Sequence, residues 1–268
     1  MAPGEKPRDE QAEMPFLDHL EELRWRLIWI GVALLVAFAV AFTLVSNFDI
    51  IGILAFPAKE FLHGGKLIYT HPADPFTILM QVSFGVGIVL ASPVIGYQLW
   101  SFLSPALHPH EKRLIIPVLI GAVGLFLIGC VLCVLWVLPI TLDLLGGIAS
   151  NSLQQMISAS EYFGFAVALT LAFGLVFELP ILILLLTAIG LVTPKFLAKY
   201  RRHSFVGMLL LSAIITPGDL IISTLMLFIP LYGLYELSII LSWFVYRAKQ
   251  RKAKREAEAE RIATASDR

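Results

Sequence analysis

An all-α protein that crosses a membrane six times is predicted by three features of this chain: its composition, the lengths of its apolar runs and the distribution of its cations. Of its 268 residues, 58% are hydrophobic and 15% charged, whereas a soluble domain is about 45–50% apolar. A helix needs about 20 apolar residues to cross about 30 Å of hydrocarbon. Four runs reach that length, at about 25–45, 76–99, 114–138 and 161–189. A fifth region, 204–244, is too long for one helix and is interrupted by Thr216-Pro217-Gly218-Asp219, a strong turn former. It reads as two helices, about 204–216 and 221–245. The first is short for a full span, so the bilayer thins there or the helix ends below the surface.

The 20 lysines and arginines set the orientation. Four lie in the segment up to Arg26, two in the 99–113 loop, four in the 190–203 loop and eight from Arg247 onward. Against these stand only Lys59 and Lys66 in the 46–75 loop, with none in the 139–160 and 217–219 connections. The positive-inside rule then places both termini in the cytoplasm. Trp25, Trp29, Trp100, Trp136 and Trp243 fall near span ends, as interfacial tryptophans do. The expected organisation is a cytoplasmic segment 1–24, a six-helix transmembrane domain 25–246 and a charged cytoplasmic tail 247–268. That tail mixes both charge signs and reads as a solvated helix or a disordered end. Residues 1–24 are polar and acidic and lack the basic start and small-residue site of a cleavable leader, so the first apolar run is expected to stay as an anchor.

Several chemistries are excluded. No GxxxxGK[ST] phosphate loop occurs, so the chain does not read as an ATPase. His110-Glu111 is followed by Leu114 where HExxH needs its second histidine, and no GxSxG elbow is present. Cys130 and Cys133 form a CxxC inside LIGCVLCVLW, where thiolates are disfavoured, and read as buried small hydrophobes. An intramembrane aspartyl protease would need two carboxylates at one depth, but Glu178 is mid-span while Asp219 sits at a turn. Neither an enzyme nor a cofactor, metal or nucleic-acid partner is expected.

Glu178 is the only charged residue between Glu161 and Lys195. A carboxyl group at the centre of a span costs about 2.5–3.5 kcal/mol on insertion scales, and such residues face a protein interior or a watery cavity. Two readings stand: a protonated carboxyl in one interhelical hydrogen bond, or a functional polar group. Pro180, two positions on, removes the N–H partner of the Val176 carbonyl and bends the helix. A second set of carboxylates lies at the inner interface. Glu22 precedes the first span and stands four residues before Arg26, a favourable i,i+4 pair. Glu111 lies in SPALHPHEKR, beside cations. Two carboxylates so placed can accept guanidinium groups through charge-assisted, bidentate hydrogen bonds.

These segments carry a family resemblance. MPFLDHLEELRWRL, YQLWSFLSPALHPHEKR, AFGLVFELP, the TPGD turn and IPLYGLYE, in that order from about Met14 to Tyr246, resemble the signature segments of TatC, the multispanning receptor subunit of the twin-arginine protein translocase. The resemblance implies a concave, glove-shaped bundle in the bacterial cytoplasmic (inner) membrane that recognises signal peptides bearing two consecutive arginines. By motif position, Glu22 and Glu111 would pair with those arginines, with Phe102, Pro105, Leu107 and His110 shaping the site and Arg24 setting its charge. Glu178 and Pro180 would belong to the concave face. Thr216, Asp219, Ser223 and Glu236, on the fifth and sixth spans, would dock the single-span subunits TatA and TatB. Pro57, Asp74, Pro75 and Phe76 match positions of an external cap. The resemblance also implies several copies of the chain in one receptor complex, and transport driven by the protonmotive force. Gly218 stands where many members have proline, Ser223 where glutamine is frequent and Asp74 where glutamate is commoner. The competing functional class is a secondary transporter with Glu178 as its proton or cation site.

Overall fold

In the computed structural model of the chain, residues 16–61, 67–103, 115–147, 156–215 and 222–266 are described. They form α1 (Phe16–Asn47), α2 (Ile50–Phe61), α3 (Asp74–Leu103), α4 (Ile115–Leu132), a π-helical turn (Cys133–Val137), α5 (Leu138–Gly147), α6 (Ala159–Phe177), α7 (Leu179–Ala188), α8 (Pro194–Lys199), α9 (Arg201–Ile215) and α10 (Ile222–Ser266). Among the described residues there is no strand, only the bridge between Ile68 and Ser158. Five helical runs are long and apolar enough to cross a membrane: 20–47, 74–102, 116–143, 159–188 and 227–251. With α9, whose 15 residues rise about 22 Å, six helical runs build the bundle.

The helices differ from the expected spans where polar chain continues them. α1 begins at Phe16, so residue 24 is no structural boundary. The third run passes position 138 and continues to Gly147, its Leu138 and Leu142 buried in the core. α10 does not stop near 245 but runs to Ser266, so the charged tail is a continuation of the sixth helix. The 46–75 loop contains α2, and the 190–203 loop contains α8, which opens on a Thr193 side-chain cap accepting from the Phe196 N–H at 3.2 Å.

Two interruptions have local causes. Pro139 has no N–H to give, and the turn before it widens: Leu138 N–H bonds Cys133 O, an i→i+5 link. At Glu178 the fourth span breaks for one residue, its N–H bonding Leu175 O at 3.1 Å, and α7 restarts with Pro180 in its first turn, where proline is tolerated. The sequence predicts a bend here; the structure makes it a division into two helices.

Membrane helices gain little by hiding apolar surface from lipid and associate through close packing at small residues. α1 lies along α3 and α6 lies against both α3 and α4, while α10 packs on α7 and α9. A Cβ added at Gly87 of α3 would stand 3.1 Å from the Phe38 Cα of α1. One at Gly174 of α6 would stand 2.7 Å from the Phe126 ring and 2.8 Å from Cys130 Sγ on α4.

The contacts define two ends. At one, Arg26 of α1 reaches Gln98 of α3, Trp100 packs with Leu185, Val118 and Ile189, and Lys249 of α10 bonds Ala188 O at the end of α7. At the other, Tyr162 OH donates to Leu54 O at 2.6 Å, and Ile68 exchanges two backbone bonds with Ile157 and Ala159. The start of α1 and the outgoing part of α10 therefore share an end. The Gly174 contact makes Gly174→Val costly: we expect a loss of about 1–3 kcal/mol, the usual range for overpacking, by reversible unfolding in detergent. Gly124→Ala, with nothing within 4 Å of its new Cβ, is the control expected to change stability little.

Candidate functional site

The helical spacing of α1 puts Glu22 and Arg26 on one face, one turn apart. Arg26 Nε donates to Glu22 Oε1 at 3.0 Å, and an Nη of the same guanidinium reaches that oxygen too. The other Nη lies 3.5 Å from Gln98 Oε1, at the weak limit of a hydrogen bond, tying α1 to the last turns of α3. Both partners of the ion pair are largely sheltered, with side chains 19% and 24% exposed, so solvent screens it less than a surface pair. Phe102 follows Gln98 by one turn in α3 and is half-buried. Arg24 is exposed beside Leu20, Leu23, Leu27 and Ile28. Glu111, Pro105, Leu107 and His110 lie outside the described residues.

Glu178 lies at the gap between α6 and α7. α6 is 19 residues long and starts at the Ile68–Ser158 end, which puts Glu178 about 28 Å along the span. Ten residues of α7, about 15 Å, separate it from the end that holds Glu22. Its side chain is half-buried, its backbone carbonyl accepts from Leu182 N–H at 2.9 Å, and Pro180 is buried. Among the described residues no side chain hydrogen-bonds or ion-pairs with its carboxylate. α7 ends where Gly190 takes φ +86°, a left-handed conformation suited to glycine. Leu191 N–H then closes on Leu186 O at 3.0 Å. Lys249 Nζ donates to Ala188 O at 2.7 Å, placing a cation at the negative end of that helix.

Glu236 is engaged inside the chain. Arg201, at the start of α9, donates to its Oε2 at 2.6 Å, and Tyr232 OH donates to its Oε1 at 2.9 Å. Thr216 and Asp219 lie outside the described residues; Ser223 belongs to the first turn of α10. Asp74, 6% exposed, gathers the turn before α3: its Oδ2 accepts from Thr70 N–H at 2.7 Å, His71 N–H at 2.9 Å and Thr70 Oγ1 at 3.2 Å. Pro75 and Phe76 follow it, exposed, and Pro57 is buried inside α2. Among the described residues no three His, Cys, Asp or Glu side chains converge as a metal site. Cys130 and Cys133 are buried free thiols.

Comparison with known proteins decides the family. The sequence model described as Sec-independent protein translocase protein (TatC) matches residues 18–230. The chain belongs to the TatC family. It is 38% identical over 239 residues to the TatC of Aquifex aeolicus, covering 88% of this chain and 98% of that one. It is 36% identical over 242 residues to TatCy of Bacillus subtilis, covering 90% and 93%. Against Escherichia coli TatC the identity is 36% over 231 residues, covering 86% and 88%. A crystal structure of the twin-arginine translocase receptor TatC superposes with TM-score 0.73 at 38% identity, covering 85% of this chain and 99% of that chain. This TatC-family chain is thus a multi-pass membrane component of the twin-arginine protein translocase and not an enzyme. The small-ion transporter alternative is not favoured.

Among the residues at these sites, Arg26, Gln98, Arg201, Tyr232 and Lys249 were not singled out as site residues from the sequence. The i,i+4 spacing pointed to Arg26, but no local pattern signals Gln98 or Arg201, whose partners are 72 and 35 positions away. The Arg201–Glu236 pair is part-exposed, and Arg201→Met is expected to cost no more than about 1 kcal/mol in detergent unfolding. The same substitution on a Glu236→Met background should then cost less, because the partner is already gone.

Proposed function

We propose that this chain is the receptor that reads twin-arginine signal peptides of folded cargo proteins, with Glu22 and Glu111 as the carboxylates that take the two arginines. The observation that carries the reading is the Glu22–Arg26 pair: a sheltered carboxylate at a helix surface already engages a guanidinium through two nitrogens of one fork. An incoming arginine exchanges with Arg26 and recovers the same charge-assisted bonds. Glu111 belongs to the stretch joining Leu103 to Ile115, and the helices that flank it meet at this same end through Trp100 and Val118. Arg24 and Phe102, with Pro105, Leu107 and His110, complete the peptide's surroundings.

The orientation follows from charge: 18 of 20 lysines and arginines lie on the sequence segments assigned to the cytoplasmic side. Signal capture takes place there, in the bacterial cytoplasmic membrane. The outer faces of α9 and α10 expose Val206, Leu210, Ile214, Ile229 and Ile240, a surface suited to the single transmembrane helices of TatA and TatB; Thr216, Asp219, Ser223 and Glu236 are the docking residues in this reading. Capture nucleates their assembly, within a complex holding several copies of this chain, and the protonmotive force drives translocation. Glu178 and Pro180 interrupt the fourth span deep in the bundle, giving a passing chain a polar point of contact within the membrane.

Glu22→Gln and Glu111→Gln are each expected to weaken binding of a peptide carrying consecutive arginines about tenfold, the loss of one charge-assisted contact. Arg26→Gln removes both a competitor for Glu22 and a like charge, so capture by it should strengthen. Site-specific crosslinking and peptide affinity in detergent measure all three; undiminished capture in both glutamine variants overturns the assignment.

A further inference from the structure

A groove of about 390 Å³ runs between α2 and the π turn at the end of the bundle away from Glu22. Ile53, Phe56 and Pro57 form one wall, Val134, Leu135 and Pro139 the other, and Asp49 stands at its rim. The second wall owes its shape to the widened turn that Pro139 imposes, since Leu138 N–H reaches back to Cys133 O there. We propose that this groove is a lipid site that holds an acyl chain of an aminophospholipid and pairs its headgroup ammonium with Asp49.

Depth argues for lipid as the occupant. The third membrane-spanning run, 116–143, is centred near residue 130. Leu135 and Pro139 then lie about 8 and 14 Å from the middle, inside a hydrocarbon half-thickness of about 15 Å. Asp49 follows the last residue of α1, Asn47, where the first apolar run ends. The groove therefore has its π-turn wall in the hydrocarbon and its carboxylate at the headgroup boundary, with α2 covering the other side. Beside it Trp136 is 70% exposed, as a tryptophan of an interfacial belt is, and Phe48 and Phe56 are open to the surroundings as well, 65% and 59% exposed.

Charge selects the headgroup. Asp49 Oδ1 caps α2, accepting from Gly52 N–H at 3.0 Å. Among the described residues no cation pairs with Asp49, which is exposed. Oδ2 is thus available to a primary ammonium, which offers both positive charge and N–H donors. A phosphatidylglycerol headgroup brings an anion and no cation to the same place.

Native mass spectrometry of the full chain tests this with equimolar phosphatidylethanolamine and phosphatidylglycerol of matched acyl chains. The wild-type protein is expected to retain the ethanolamine lipid about two- to fivefold over the glycerol lipid, as one exposed ion pair allows. Asp49→Asn keeps the helix cap, because asparagine caps as well as aspartate, and should abolish the preference without lowering phosphatidylglycerol retention. Val134→Trp fills the groove and should lower retention of both lipids. Equal retention of the two lipids by the wild-type protein, a preference that survives Asp49→Asn, or full retention by Val134→Trp overturns the proposal.

Discussion

Within hydrocarbon no water is present to satisfy a free backbone N–H or C=O, and this constraint decides what the chain can be. A continuous α-helix meets it without help, which is why nearly every described residue in the membrane is helical. The departures stand out for the same reason. Pro139 and Pro180 each withhold an N–H, and each is accommodated differently. Before Pro139 the helix widens to a π turn and passes the bond to Leu138. Before Pro180 it is interrupted for one residue, at Glu178, the only charged residue of that span beyond its first turn. A third proline, Pro230, lies inside α10 without interrupting it. The irregular points are therefore few and set by sequence, and they are where the bundle has shape or polarity to offer.

Because lipid tails are as apolar as the side chains, helix association here depends on contact and not on burial from water. Gly87, Gly129 and Gly174 sit where neighbouring helices touch: Phe38 against the first, Phe177 and Phe173 against the second, Phe126 and Cys130 against the third. Many large hydrophobic residues remain exposed on α1 and α10, such as Trp29, Leu35, Val36, Ile229 and Phe244, which is the ordinary state of a lipid-facing wall. Polar pairs supply specificity on top of packing. Arg26 joins α1 to α3 through Gln98, Arg201 joins α9 to α10 through Glu236, and Thr187 Oγ1 meets Ser242 Oγ at 2.8 Å between α7 and α10.

The same economy links fold to function. Under the reading proposed above, an arginine-bearing peptide is met by a carboxylate that is partly sheltered and held on a helix: Glu22 is 24% exposed, on α1, which continues unbroken along the first apolar run. At the opposite end Asp74 gathers the backbone of Thr70 and His71, and α2 lies beside the π turn to form the groove.

The sequence by itself determined the helical class, the number and approximate place of the spans, the bend at Glu178 and Pro180, and the family. Each of these rests on local information: run length, proline position, charge count and short ordered motifs. Helix ends were less legible, because polar residues at 16–24 and 247–266 are compatible with helix or coil, and only the continuity of α1 and α10 settles which. α2 was hidden for a related reason, being a 12-residue helix too short to register as a span. What only the tertiary structure decided is which polar groups meet. Glu236 meets Arg201 and Tyr232, neither of which the sequence pairs with it; Gln98 was silent in the sequence and bridges to Arg26. Such pairings depend on the rotation of each helix about its axis, which packing at the glycine contacts sets and no single segment encodes.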